Sequence, residues 1–280
     1  MKAGQASRTA VLVCTGRAIG HARGQIARFS DPTALPLLPD DVRSDIERYV
    51  RGDRPKGPRG WFVRAFMEKQ SHLMVARTVA VDDAIRGAPC GQLVILGAGL
   101  DGRAWRMSEL AETTVFEVDH PDSQRAKRDR VERLSRTARE VRFVPVDFTR
   151  DSLDAALANA GHDPSRPTTW VWEGVVMYLT PAQIDSTLEV VARRSAPSSR
   201  LVVVYHSPSP WLSLVGAVTR RMGEPLRSTQ TANEMRALLA RHQFRATRDE
   251  NLEEIGARLS ASLGSELRGM RHQRVVTAGR

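Results

Sequence analysis

Residues 93–106, LVILGAGLDGRAWR, constrain the chain more than any other stretch. Four apolar residues, Leu93 to Leu96, read as a buried strand. Gly97-Ala98-Gly99-Leu100-Asp101-Gly102 makes a glycine-rich turn, and a helical pattern follows it. A strand running through such a turn into a helix N-terminus lets an anionic group of a ligand approach bare backbone N–H groups. A chain built around this unit is committed to an α/β fold with alternating strands and helices.

The rest of the sequence keeps that rhythm. Further strands are predicted at Thr113–Val118, Val141–Val146, Thr169–Trp172, Leu201–Tyr205, Phe244–Asp249 and Gln273–Ala278. Helical segments lie at Arg103–Ala111, Ser123–Ser135, Leu153–Ala160, Pro181–Arg194, Thr231–Arg241 and Leu252–Leu259. Thr231 and Glu234 have the spacing of a capping box. This order implies a parallel sheet with helices on both faces and right-handed crossovers. Upstream, residues 7–28 read as a helix that Ser30-Asp31-Pro32 breaks. A short helix is expected at Asp40–Val50, an exposed loop at Arg51–Gly60, and a helix at Trp61–Ile85. The expected division is an N-terminal helical cap over residues 1–88 and an α/β core over 89–280. A lid insertion is expected around 208–228, all within one compact unit.

Composition narrows the class. Hydrophobic residues are 41% of the chain, enough for a sizeable core. No apolar run reaches the roughly 18 residues of a transmembrane helix, and no signal-peptide layout is visible. A cytoplasmic protein without a membrane partner is expected. Cys14 and Cys90 are too few for a disulfide framework and match no metal motif, so buried reduced thiols and no metal are expected. The net charge of +10 invites a nucleic-acid reading. But four of the 42 basic residues are lysines and the other 38 are arginines, spread along the whole chain. Without a basic tail or an aromatic-interleaved basic patch, no nucleic-acid partner is expected.

Gly97-x-Gly99-x-x-Gly102 by itself fits a dinucleotide or S-adenosylmethionine (SAM). Asp119 ends the next strand, placed to accept hydrogen bonds from two ribose hydroxyls; it also fits both. Three features favour SAM. Asp147 follows the third strand, where an acid can meet an adenine amino group and Phe148 can flank the ring. Asp101 in the turn would repel a pyrophosphate, whereas Asp101 and Arg103 together suit the ammonium and carboxylate of an amino acid. Glu173 ends the fourth strand at the same edge, where ligands of open α/β sheets bind.

These residues sit in LGAGLDGRAWR, FEVDHP with Gln124 and Lys127, VPVDF and EGVVMYL. Upstream stand Arg17-Ala18, SDPTALPLL at Ser30–Leu38 and ART..VDD at Ala76–Asp83; downstream stands GEPLRS at Gly223–Ser228. In this order they resemble the leucine carboxyl methyltransferase family of class I SAM-dependent methyltransferases, over nearly the whole chain. Gly102 departs from the resemblance, which more often has threonine or serine there. The resemblance implies a Rossmann-like fold with a mostly parallel seven-stranded sheet and an antiparallel last strand. It also implies roles: Arg77 and Arg17 on the SAM carboxylate, Gly97, Ala98 and Gly99 beneath the amino-acid end, Asp119 on the ribose. Asp147 and Phe148 would meet the adenine, Glu173 would close the pocket near the amino group, and His120 joins the cofactor set.

A methyl on a sulfonium is already activated, so such an enzyme mainly aligns the acceptor and excludes water. A carboxylate acceptor needs no base; a hydroxyl does. The candidate base is His206, directly after the fifth strand. The expected reaction is O-methylation of a small-molecule acceptor, in the manner of the secondary-metabolic members of the family. A protein C-terminus as acceptor is the alternative within the family. An NAD-dependent oxidoreductase is disfavoured because neither Tyr178 nor Tyr205 has a lysine four residues on. A non-catalytic SAM-binding protein is the remaining reading.

Overall fold

The computed structural model describes residues 7–53, 57–88, 90–148, 150–210, 212 and 226–280. Seven strands form one sheet: β1 (Gln92–Leu96), β2 (Thr114–Asp119), β3 (Glu140–Pro145), β4 (Thr168–Trp172), β5 (Arg200–His206), β6 (Arg245–Asn251) and β7 (Gln273–Gly279). Their order is β3-β2-β1-β4-β5-β7-β6. β1 to β5 are parallel, and β7 runs antiparallel between β5 and β6, as expected of this fold. The strand order reverses direction beside β1, which places the glycine turn at the topological switch point.

The central strands are buried on both faces, which is why they read as unbroken apolar runs. Side chains nevertheless alternate. Leu93 and Ile95 join the core under the N-terminal helices, and Val94 and Leu96 join the opposite one. The first core is roofed by α1 (Arg8–Arg23), α2 (Ala34–Leu37), α3 (Asp40–Val50) and the 30-residue α4 (Gly57–Arg86). Around the sheet follow α5 (Arg103–Arg106), α6 (Pro121–Val131), α7 (Leu153–Asn159) and α8 (Pro181–Arg193). α9 (Ala232–Arg241), α10 (Leu252–Leu259) and α11 (Ala261–Glu266) complete the described helices. α7, α8 and α9 supply the second core through Leu157, Ile184, Leu188 and Met235.

Several boundaries differ from the sequence reading. α1 stops at Arg23 instead of continuing to residue 28, because Gly24 turns left-handed at φ 59° and its N–H caps Gly20 and His21 carbonyls. Residues 57–60, read as loop, begin α4. The helix expected over Arg103–Ala111 ends at Arg106. There the Ala104 carbonyl takes N–H bonds from Thr137 and Ala138 (3.0 and 2.9 Å) and cannot carry the helix on. α6 starts two residues early, with His120 as N-cap and Pro121 in the first turn. The lid expected around 208–228 falls largely on residues 211 and 213–225, outside the described residues.

Candidate functional site

The turn after β1 is shaped by two glycines. Gly97 (φ 72°) and Gly99 (φ 49°) hold left-handed backbone that side chains rarely adopt. A Cβ on Gly97 would also lie 2.1 Å from Val175 Cγ2. Gly102 has a different reason: a Cβ there would lie 1.9 Å from Thr33 Oγ1, so its bareness admits Thr33.

Four of the six N–H groups of this turn already have acceptors. Gly97 and Ala98 donate to the Val118 carbonyl (2.8 and 3.0 Å), and Asp101 donates to Ala98 (2.8 Å). Gly99 donates to Asp119 Oδ2. The amide cradle expected for an anion is thereby narrowed, since Gly97, Ala98 and Gly99 give their N–H groups to β2. β2 runs close enough in parallel register to take those donors.

The charged groups of the site lie instead on an ion-pair chain beside the turn. Arg17 donates to Asp31 (2.9 Å) and to the Leu100 carbonyl (2.5 Å). Asp31 reaches Arg106 (3.6 Å), and Arg106 pairs with Asp82 (2.7 Å). Asp82 receives Arg103 Nε (2.8 Å). Arg103 also pairs with Asp101 and with Glu173 (3.0 Å), and Glu173 receives Arg77 Nε (2.7 Å). Four arginines thus meet four carboxylates, and none of the eight side chains is more than 13% exposed. Buried charges persist only when so paired. The chain ties α1, α4 and α5 to the turn and to the loop after β4.

This pairing decides protonation. Burial disfavours a charged Asp101, but Arg103, Lys127 and Arg17 outweigh it and hold the carboxyl at about 2. Burial likewise opposes ionisation of Glu173, and Arg77 and Arg103 hold it below the ordinary range. Asp119 goes the other way: burial raises it, though the Gly99 and His120 N–H groups donate to it. An ionised Asp101 in the turn and an Arg103 already shared among three carboxylates make a poor host for a pyrophosphate.

A cavity of about 360 Å³ opens above this network. Arg17, Arg77, Gly97, Ala98, Gly99, Asp101, Arg103, Asp119 and Glu173 all line it, as the sequence reading brought them together. His120, Asp147, Phe148 and His206 are not among its described lining. His120 caps α6 through Nδ1 (3.2 Å from the Asp122 N–H), with Nε2 3.9 Å from Asp147. Asp147 faces Arg150 (3.0 Å), and Phe148 packs on the second core. These stand at the β2–β3 edge of the same sheet end. His206 ends β5, buried against Gln273 (3.2 Å) and the His272 ring (centroids 5.9 Å apart). Burial, His272 and Arg77 push its pKa down to about 3.

The sequence reading missed Asp31 and Arg106, which close the ion-pair chain, and the wall formed by Val13, Val175, Tyr178, Leu179, Gln183 and Arg227. Arg103 and Arg106 are three apart on one helix, a spacing that could have paired them. Nothing local marked the wall, whose members come from four separate segments.

Residues 10–192 match the leucine carboxyl methyltransferase family. Relatives named putative S-adenosyl-L-methionine-dependent methyltransferases agree. One from Mycobacterium sp. strain JLS is 33% identical over 221 residues, 78% of this chain and 72% of its own. One from Mycolicibacterium paratuberculosis is 35% identical over 204 residues, 71% of this chain and 66% of its own. Among solved structures, a DUF574 family protein from Streptomyces avermitilis has a TM-score of 0.62 at 13% identity, covering 99% of this chain and 98% of that one. Geranyl diphosphate methyltransferase in complex with SAM has a TM-score of 0.53 at 14% identity, covering 81% and 92%. At those identities the structures speak for the fold alone. With the family match spanning well over half its length, this chain belongs to the leucine carboxyl methyltransferase family of SAM-dependent methyltransferases.

Proposed function

We propose that this chain methylates an oxygen of a small organic acceptor, a carboxyl before a hydroxyl, with SAM as donor. The residues present fit the donor. Arg17 and Arg77 stand where a carboxylate can be met, Asp101 and Glu173 where an ammonium can, and Asp119 where ribose hydroxyls can. Because four cations already balance four anions, a zwitterionic end adds no net charge to the network. Asp147 and Phe148 would serve the adenine from the β3 side. When bound, SAM supplies a methyl group already activated on a sulfonium.

The observation that carries the acceptor reading is the lining of the cavity. Val13, Val175 and Leu179 give it an apolar wall suited to a small organic molecule and to excluding water. Its carboxylates are locked in ion pairs or take backbone N–H groups, and no histidine, lysine or cysteine lines it among the described residues. His206 is neutral at physiological pH and, pushed down to about 3, is a weak base. A carboxylate acceptor needs none. Arg227 lines the same cavity and, unlike Arg17, Arg77 and Arg103, joins no ion pair among the described residues. We assign it to the acceptor carboxylate. A role in secondary metabolism is part of this proposal.

Two measurements test it. The demethylated product S-adenosylhomocysteine (SAH) should bind by calorimetry, and Asp119→Ala should lose most of that binding. In a screen of carboxylic acids and phenols with SAM, acids should gain methyl esters, and Arg227→Ala should raise the acceptor KM with SAH affinity retained. Turnover confined to phenols and abolished in His206→Ala would replace the carboxyl reading with base-assisted hydroxyl methylation. Turnover only on a folded protein's C-terminus would move the acceptor class.

A further inference from the structure

The N-terminal end of α4 carries an exposed surface that does not line the cavity. α1 engages α4 from Glu68 onward: Arg23 pairs with Glu68 (2.9 Å), and Gly16 and Gly20 nestle against Met74 and Val75. Upstream of that contact, Trp61, Phe62 and Phe66 are 61%, 69% and 49% exposed. With exposed Ala65 they occupy positions i, i+1, i+4 and i+5, one continuous stripe on a helix. Among the described residues five large hydrophobics are exposed, and four of them, Trp61, Phe62, Val63 and Phe66, lie in this short segment. Large exposed aromatic patches on a stable protein mark a contact surface.

The charge around the stripe says what the contact is. On a helical wheel Arg59 and Arg64 fall at its two edges, and Arg51 precedes α4. None of the three joins an ion pair among the described residues, although most arginines near the site do. Aromatic rings flanked by free guanidinium groups are the pattern of a helix that lies in a bilayer interface. The rings enter the acyl boundary, and the arginines extend to lipid phosphates. A second copy of this chain suits the surface poorly, because at a net charge of +10 it would set arginine against arginine.

We infer that the first turns of α4 seat the protein peripherally on an anionic lipid bilayer. No described helix is long and apolar enough to cross a membrane, and the contact needs none. The stripe lies about 16–24 Å along α4 from Arg77, and none of its residues lines the cavity.

The test is flotation of the full chain with vesicles of phosphatidylglycerol, compared with pure phosphatidylcholine. The chain should float with the anionic vesicles and be released by high salt. Replacing Trp61, Phe62 and Phe66 together by alanine should cut partitioning at least about tenfold, and Arg59→Glu with Arg64→Glu should do the same. Both variants change exposed or edge positions, and unchanged SAH affinity would show that they are folded. No flotation of the native chain, or equal flotation of the aromatic variant, overturns the proposal. So does a native dimer in solution that the aromatic variant dissociates, which would make the stripe a self-association surface.

Discussion

Arg106 shows how a residue can govern the site without touching the cavity. It is buried and paired with Asp82 and Asp31, whose other partners are Arg103 and Arg17. Arg106→Leu should destabilise the fold by about 3–5 kcal/mol, because it leaves buried carboxylates uncompensated. Denaturant titration would measure it, and a loss no larger than the ~0.5 kcal/mol of an ordinary surface change would refute it. His206 makes a different prediction. Burial favours its neutral form and lowers its pKa from 6.5 to about 3, so the unfolded chain binds the proton more tightly. Its contribution is complete above pH 6.5 and is lost as pH falls towards 3. His162, lowered to about 4 by burial and Arg194, acts in the same sense. His206→Gln should therefore flatten the acid limb of the stability profile. An unchanged slope below about pH 6.5 would show that the ring is solvated in the folded protein.

At the scale of elements, the turn and the start of α8 are the parts that position the cavity. Gly97→Ala would force a left-handed backbone onto a side chain and drive its Cβ to 2.1 Å from Val175. We expect a loss of about 1–3 kcal/mol in stability together with weakened SAH binding, read by thermal melting and calorimetry. A fully stable variant would mean that the loop after β4 yields freely. α8 begins with a reciprocal capping box between Thr180 and Gln183, and Gln183 also lines the cavity. Thr180→Ala should cost about 1 kcal/mol and lower SAH affinity as the first turn frays. Affinity left intact would place Gln183 outside the ligand's reach. These elements were readable to different degrees. Short apolar runs and turn signals located all seven strands within two residues of their bounds. The end of α5 was not readable, because residues 137 and 138 take the Ala104 carbonyl, and no local pattern records that contact.

At the scale of the molecule, the cavity is lined by the cap through Val13, Arg17 and Arg77 and by the sheet edge through Gly97, Asp119 and Glu173. A ligand held there ties the two together and binds only the folded chain. SAH at a hundred times its Kd should add about 2.7 kcal/mol of stability. For a chain of 280 residues that corresponds to a rise in Tm of several degrees. The rise should vanish in Asp119→Ala. A rise of equal size in that variant would place SAH elsewhere than the β1–β2 edge.

The sequence by itself determined the layers, the strand count, the turn and the acids that crown the strand ends. Each is written in a local period, in a glycine that only a left-handed backbone requires, or in a polar residue that closes an apolar run. Tertiary structure alone decided which of those groups share a cavity and in what charge state. The turn was expected to offer its amides to an anion; β2 takes those of Gly97, Ala98 and Gly99 instead, because parallel register brings Val118 and Asp119 within reach. Arg103 lines the cavity and also stands at the junction of three carboxylates drawn from α4, the turn and the loop after β4. Charge pairing in a buried space depends on who is near, and nearness across as many as 96 residues, as between Arg77 and Glu173, is set by packing.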